Sequence, residues 1–272
     1  MLTPEVKSNI ARALELGEHS HKVMMGDHVV TTFERERYIL PYDITKRKWT
    51  SKINRTVATT IVNSITKKIN KTTRIVGLEN LDSFDGGSAI ITCNHFSPVD
   101  STIVRHLTNR IGKKSQLSIV VAESNVFMKG KLGWLLKNVN TMPFSHDLSY
   151  LEHNFNPAFK KRLAQNHVIL FYPEQEMWPG YTKPRHLKPG AYHYACKYEV
   201  PIIPTFITME KIDSDIHYTI HVFPLIYCNP SLSLKENKER MMALDYDYKK
   251  SCYERVYKKR LTYDFSESDL IF

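Results

Sequence analysis

The segment CNHFSPVD contains a histidine and a carboxylate five residues apart, the residue types of a general base and its orienting partner. His95 directly follows an apolar run, so we expect it at the carboxyl end of a strand, where open α/β sheets place their sites. Ser97 is predicted to cap the next helix, with Asp100 in the first turn of that helix. A histidine in front of a helix N-terminus has its charged form disfavoured by the helix dipole, which favours a neutral base.

Asp100 has two interpretations on the sequence alone. A carboxylate one helical turn away can accept the proton on one imidazole nitrogen and leave the other nitrogen facing a substrate hydroxyl. The same carboxylate also fits a capping box begun by Ser97, which is a purely structural role. The spacing does not decide between them, because a chain with 12 histidines contains such a pair by chance about as often as not.

The elements that would position this pair alternate along the chain from Ser88 onward. Apolar runs predict strands over 88–93, 117–124, 140–144, 167–172, 201–209 and 216–227. Helical patterns lie between and after them, over 98–111, 130–139, 156–166, 189–199 and 235–261. This alternation predicts an α/β fold with a central mixed sheet flanked by helices.

Residues 1–72 are predicted to form a separate N-terminal helical segment, and residues 73–272 the α/β domain. A polar helix is predicted over 4–24, followed by the basic stretch ITKRKWTSKINR, where Trp49 is typical of a membrane-interface anchor. A second helix has an apolar stripe spaced four residues apart: Val57, Ile61, Ile65 and Ile69. The stripe could lie on a bilayer, but we favour its packing on the rest of the protein.

Composition narrows the function classes. A net charge of +10 favours an anionic partner, either a nucleic acid, an acidic membrane surface or an acidic protein. The basic residues are scattered and no RNA-binding or zinc module is present, which argues against nucleic acid. The chain has no CxxC pair, no G-x-S-x-G elbow, no P-loop and no dinucleotide loop. Without a signal-peptide pattern or a long apolar run, we expect an intracellular location and reduced thiols.

Two downstream segments carry the strongest functional signal. ILFYPEQEMW places Pro173 and Glu174 after the predicted strand 167–172, and KPGAYHYACKYEVPIIPTFI follows. With NHFSPVD in front, this order of motifs over residues 75–225 resembles the glycerol-phosphate and lysophospholipid acyltransferase family. The resemblance implies that His95 is the general base on an acceptor hydroxyl and that Asp100 orients it. Asn94 and Ser97 belong to the same motif and are expected at the substrate.

The resemblance also implies the substrates and the location. The acyl donor would be a thioester of coenzyme A or of acyl carrier protein, and the acceptor a lysophospholipid or a related glycerol-phosphate lipid. No cofactor and no metal are expected. The enzyme would act as a peripheral protein at an anionic membrane surface, on the cytoplasmic inner face, with no nucleic acid as partner.

The chain departs from the family pattern where an acceptor phosphate would be held. Glu174 is kept, but the arginine expected three residues later is Met177, and His146 stands where the second motif usually ends in arginine. The nearby stretch YTKPRHLKPG contains three cations that could hold the phosphate in place of the missing arginines: Lys183, Arg185 and Lys188. Alternatively, this stretch is a solvated basic loop. Alternatively the acceptor carries no phosphate, or the chain is a non-catalytic lipid-binding relative.

Overall fold

The computed structural model describes residues 2–26, 28–39 and 49–271. Residues 44–48 of the basic stretch that was predicted as an interface anchor lie outside this description, and so does the side chain of Trp49.

The described residues form one seven-stranded sheet. Its strands are β1 (Arg74–Val76), β2 (Ala89–Thr92), β3 (Leu117–Ala122), β4 (Thr141–Phe144), β5 (Val168–Phe171), β6 (Ile202–Ile212) and β7 (Asp215–Val222). Their order is β1-β7-β6-β2-β5-β3-β4, and only β6 and β7 pair antiparallel. The predicted α/β fold with a mixed sheet is confirmed; the short edge strand β1 was not predicted.

Helices flank the sheet. They are α1 (Pro4–Glu15), α2 (Thr32–Glu34), α3 (Trp49–Ile69), α4 (Asp100–Arg110), α5 (Gly130–Asn138), α6 (Leu148–Tyr150), α7 (Asn156–Ala164), α8 (Gly190–Lys197) and α9 (Leu234–Tyr257). Short 3-10 helices span Leu78–Leu81, Glu123–Val126 and Glu267–Asp269, and π-helical turns span Arg35–Ile39 and Leu151–Phe155.

Strand β2 lies in the middle of the sheet and is buried on both faces. Ile90 belongs to the core under α7, α8 and α9, whereas Ala89 and Ile91 belong to the core under α4. A strand enclosed on both sides needs a continuous apolar run, which explains the sequence SAIITC. Because β5 and β6 pair with β2 on either side and in parallel, the segments that follow β2 and β5 meet at one edge of the sheet.

Helix α1 ends earlier than the predicted boundary at residue 24. Gly17 has φ +69°, and the amides of Gly17 and Glu18 close back on Leu14 and Ala13, which is the hydrogen-bond pattern of a Schellman C-cap. The apolar face of α1 packs against Trp178. The N-terminal helix therefore supports the loop that follows β5.

Helix α3 buries only part of its apolar stripe. Ala58 and Thr66 are buried, and Ile65 is half-buried, whereas Val57 and Ile61 are 46% and 40% exposed. The favoured prediction, a stripe packed on the rest of the protein, is therefore wrong for its first half. None of the helices in the described residues has the length and apolar character needed to cross a bilayer.

Two of the four cysteines are bonded to each other. Cys196 on α8 and Cys228 after β7 form a disulfide with Cα atoms 5.4 Å apart, while Cys93 and Cys252 are free and buried. The expectation of reduced thiols is wrong for this pair, because the fold brings together two segments that are 32 residues apart in sequence.

Candidate active site

His95 and Asp100 lie against each other at the carboxyl edge of the sheet. The Nδ1 atom of His95 is 2.7 Å from Oδ2 of Asp100, and the side chains are 22% and 2% exposed. The described residues offer no hydrogen bond to Nε2, which is therefore the ring nitrogen open to a ligand. A carboxylate on Nδ1 fixes the tautomer that carries its lone pair on Nε2.

Asp100 reaches this position through the turn that precedes α4. The backbone amides of Phe96 and Ser97 donate to its Oδ2 at 3.2 and 3.3 Å. The helix begins at Asp100 with Val99 at the N-cap, so the predicted cap at Ser97 is wrong. Residues 98–99 form a turn instead, and the Asp100 carboxylate reaches back to the main chain beside His95. In this one position the Asp100 carboxylate both caps the turn before α4 and contacts the imidazole of His95.

Tyr172 is a site residue that the sequence reasoning passed over. Its ring stacks on the His95 imidazole with centroids 4.0 Å apart and planes at 17°, and its hydroxyl donates to Oδ1 of Asp100 at 2.6 Å. Burial, together with the charge of Asp100, raises the pKa of Tyr172 well above its ordinary value, so the hydroxyl stays a donor. The signal was its position, directly after β5 and before Pro173-Glu174.

Glu174 and Arg185 form a buried ion pair that holds the main chain of His95. Arg185 Nη2 is 2.9 Å from Oε2 of Glu174, with side chains 1% and 2% exposed. Glu174 Oε2 accepts from the His95 amide at 3.2 Å, and Arg185 Nη2 donates to the His95 carbonyl at 3.3 Å. Arg185 Nη1 donates to the carbonyl of His19, and the guanidinium lies 4.5 Å from the Trp178 ring.

This placement corrects the sequence-based role of Arg185. Its predicted bidentate contact with a phosphate requires an accessible guanidinium, but the donors of Arg185 point inward to Glu174 and to backbone carbonyls. Burial lowers the pKa of Arg185 and the charge of Glu174 opposes that shift. The guanidinium of Arg185 holds the main chain at His95 and is enclosed by its partners in this structure.

Two other predicted substrate-binding residues are also engaged inside the protein. Lys183 is 5% exposed and pairs with Asp269 at 2.7 Å. The side-chain amide of Asn94 donates to the Ile207 carbonyl at 3.0 Å and accepts from its amide at 2.8 Å, so it ties the end of β2 to β6. Neither side chain faces an open cleft in this structure.

The remaining predicted residues differ in exposure. Ser97 is buried, and its hydroxyl oxygen accepts from the Val99 amide at 3.4 Å. His146 and Lys188 are exposed, and the Lys188 amide donates to the Pro173 carbonyl at 2.8 Å, which places Lys188 beside the Glu174 turn. Within the described ranges, no group of three or more His, Cys, Asp or Glu side chains is arranged to hold a metal ion.

The site therefore has one accessible imidazole nitrogen. The other nitrogen contacts a carboxylate that accepts three further hydrogen bonds. Such a pair can accept a proton from a hydroxyl and return it to a leaving group.

Comparisons with known proteins place this geometry in a family. The family model described as acyltransferase matches residues 72–208. The fold is similar to the crystal structure of the 1-acyl-sn-glycerophosphate (LPA) acyltransferase PlsC from Thermotoga maritima, at 11% identity and a TM-score of 0.52, over 94% of this chain and 97% of that one. A search of curated protein sequences finds no match. The matched range spans half of the chain and includes His95, Asp100, Glu174 and Arg185, and the chain belongs to the acyltransferase family.

Proposed function

We propose that this acyltransferase moves a fatty acyl group from a thioester donor to a hydroxyl of a lysophospholipid or related glycerol-phosphate lipid. His95 is the general base and Asp100 orients it. The observation that carries this proposal is the 2.7 Å contact between Nδ1 and Asp100, which leaves Nε2 as the accessible nitrogen. Membership of the family supplies the class of reaction.

The proposed reaction needs no covalent enzyme intermediate. The acceptor hydroxyl loses its proton to Nε2 of His95 as its oxygen attacks the thioester carbonyl. The new C–O ester bond forms, the C–S bond breaks, and the imidazolium returns the proton to the departing thiolate. Asp100 stabilises the imidazolium between these two steps, because its carboxylate is 2.7 Å from Nδ1.

The net charge supports both the proposed acceptor and the proposed donor. The net charge of +10 suits anionic lipids, the phosphates of coenzyme A and an acidic acyl carrier protein alike. Exposed Lys188 beside the Glu174 turn, and His146, are available to a phosphorylated acceptor. A lipid acceptor without a phosphate is the alternative within the same reaction class.

We also propose that the protein docks on an anionic membrane through α3 and α5, which pack together. Ile53, Val57 and Ile61 on α3 are exposed, and so are Leu132 and Trp134 on α5. Exposed apolar side chains on adjoining helices, in a basic protein, suit the interface of an acidic bilayer.

Vesicle binding tests this docking surface. Replacing Val57 and Ile61 together by aspartate should reduce binding to phosphatidylglycerol-containing vesicles, while Val256→Asp, at an exposed valine on α9, should not. An equal loss of vesicle binding in both variants would mean that binding depends on the net charge of the protein and not on the apolar surface of α3. A preference for duplex DNA or RNA over vesicles would favour a nucleic-acid-binding protein instead.

Mass spectrometry of the lipid products tests the reaction. The protein is incubated with acyl-CoA or acyl carrier protein and a panel of acceptors with and without phosphate. His95→Ala should abolish product while the melting temperature is kept, and His153→Ala, at an exposed histidine, should leave turnover unchanged. Near-normal turnover by His95→Ala would refute the base role. Lipid binding without product in the wild type would support the non-catalytic alternative.

A further inference from the structure

Arg105 on α4 is a buried cation that no described residue neutralises. Its side chain is 5% exposed, and the described residues provide neither a hydrogen-bond acceptor nor a carboxylate for it. Burial lowers the pKa of its guanidinium, and no acidic group opposes that shift. A guanidinium nevertheless stays protonated in a protein, and a buried charge without a counter-charge is strongly unfavourable.

Helices α3 and α4 both carry further polar side-chain atoms without partners among the described residues. Asn109, one turn after Arg105, has an enclosed side-chain oxygen with no hydrogen bond to the described residues, and so do Asn63 and Thr66 on α3. The two helices pack against each other. The nitrogens of Arg105 are not among these enclosed atoms, so they keep some solvent-accessible surface although the side chain as a whole is buried.

The helical register of α4 relates Arg105 to the candidate active site. Ser101 lies one turn before Arg105 on the same helical face, and its hydroxyl interacts with that of Tyr172. Side chains on a helix tilt toward its N-terminus, which in α4 is the end that holds Asp100. The five residues from Asp100 to Arg105 span about 7.5 Å along the helix axis.

We propose that Arg105 binds a phosphate group of the substrate at the seam between α3 and α4. This inference rests on the proposed function, since it deepens the account of what the site binds. A guanidinium donates two parallel hydrogen bonds to a phosphate, and the ligand's charge would neutralise the buried cation. Arg105 thereby does what the arginines missing at Met177 and His146 would have done. The phosphate belongs either to the lipid acceptor or to coenzyme A, which present the same chemistry.

Thermal shift with inorganic phosphate and pyrophosphate tests the binding without catalysis. The wild type and the control Arg110→Met, at an exposed arginine on the same helix, should be stabilised by the anions, and Arg105→Met should not. Unliganded Arg105→Met should melt at or above the wild-type temperature, because the change removes an unpaired buried charge. A lower melting temperature with a wild-type anion response would mean that Arg105 has a structural role and would overturn the proposal.

Kinetics identify the source of the phosphate. In Arg105→Met, a KM about tenfold or more higher for a phosphorylated acceptor, with no change for its dephosphorylated analogue, assigns the site to the acceptor. A KM raised only for acyl-CoA assigns it to the donor, and Arg105→Lys should recover part of either loss. Unchanged KM values for both substrates in an active enzyme would overturn this inference alone. Absence of transfer by the wild type would overturn the proposed function, and the anion thermal shift would still test Arg105.

Discussion

Removing the Arg185 guanidinium should lower kcat without raising the KM for the acceptor. Arg185 is 1% exposed, pairs with Glu174 and donates to the His95 carbonyl. Arg185→Met leaves the Glu174 carboxylate buried and unpaired, which costs about 3–5 kcal/mol. At about 2–4 °C per kcal/mol for a chain of this size, the melting temperature should fall by about 6–20 °C.

The catalytic effect follows from the loss of contacts to the His95 main chain. Displacing a catalytic group by about 1 Å can cost about 10²-fold in rate, and we expect a fall in kcat of that order. Measurements are made below the melting transition of each variant. Glu174→Gln combined with Arg185→Met should regain part of the lost stability, because no buried charge is left alone, but it should not regain kcat.

Lys183→Met is the matched control for this experiment. Lys183 lies two residues from Arg185 and has an equally buried partner in Asp269, but the described contacts of Lys183 do not reach His95. The Lys183→Met variant should have a lower melting temperature and an unchanged kcat. If Arg185→Met instead raises the KM for phosphorylated acceptors alone and leaves kcat unchanged, Arg185 contacts the substrate and the positioning argument is wrong.

Two further predictions concern the hydroxyl on Asp100 and the buried histidines. Tyr172→Phe removes the 2.6 Å hydrogen bond to Asp100 but keeps the ring stacked on the imidazole, so kcat should fall about tenfold or more at constant KM; an unchanged kcat would contradict this. Burial lowers the pKa of His19, His167 and His221 from 6.5 to about 4, so the unfolded chain binds more protons between these values. The free energy of unfolding should therefore be highest above pH 6.5 and should fall as the pH drops toward 4. The fall should be smaller in His167→Gln. A melting temperature that does not change over this pH range would refute the reasoning.

The sequence predicted the sheet well because buried strands need apolar runs and parallel strands need helices between them. The three-residue strand β1 was not predicted because its residues are exposed or half-buried and form no apolar run. The early end of α1 was readable in principle from Gly17, which can adopt the positive φ that closes the helix.

The site was predictable where it depends on neighbours in sequence. His95 and Asp100 are joined by one turn, so local geometry alone brings them together. The roles of the cations were not predictable, because burial depends on distant partners. Arg185 and Lys183 look alike in a basic loop, and each is buried against a carboxylate, whereas Arg105 is buried on α4 without one among the described residues.

Charge balance at the site links the proposed reaction to the proposed phosphate contact. With a neutral imidazole, His95, Asp100, Glu174 and Arg185 together carry one net negative charge, because the group contains two carboxylates and one guanidinium. The cluster becomes neutral when His95 accepts the proton of the acceptor hydroxyl. The same charge repels an incoming phosphate unless a further cation lies nearby. A phosphorylated acceptor therefore requires a cation that the protein has not already neutralised, and the proposed phosphate contact assigns this role to Arg105.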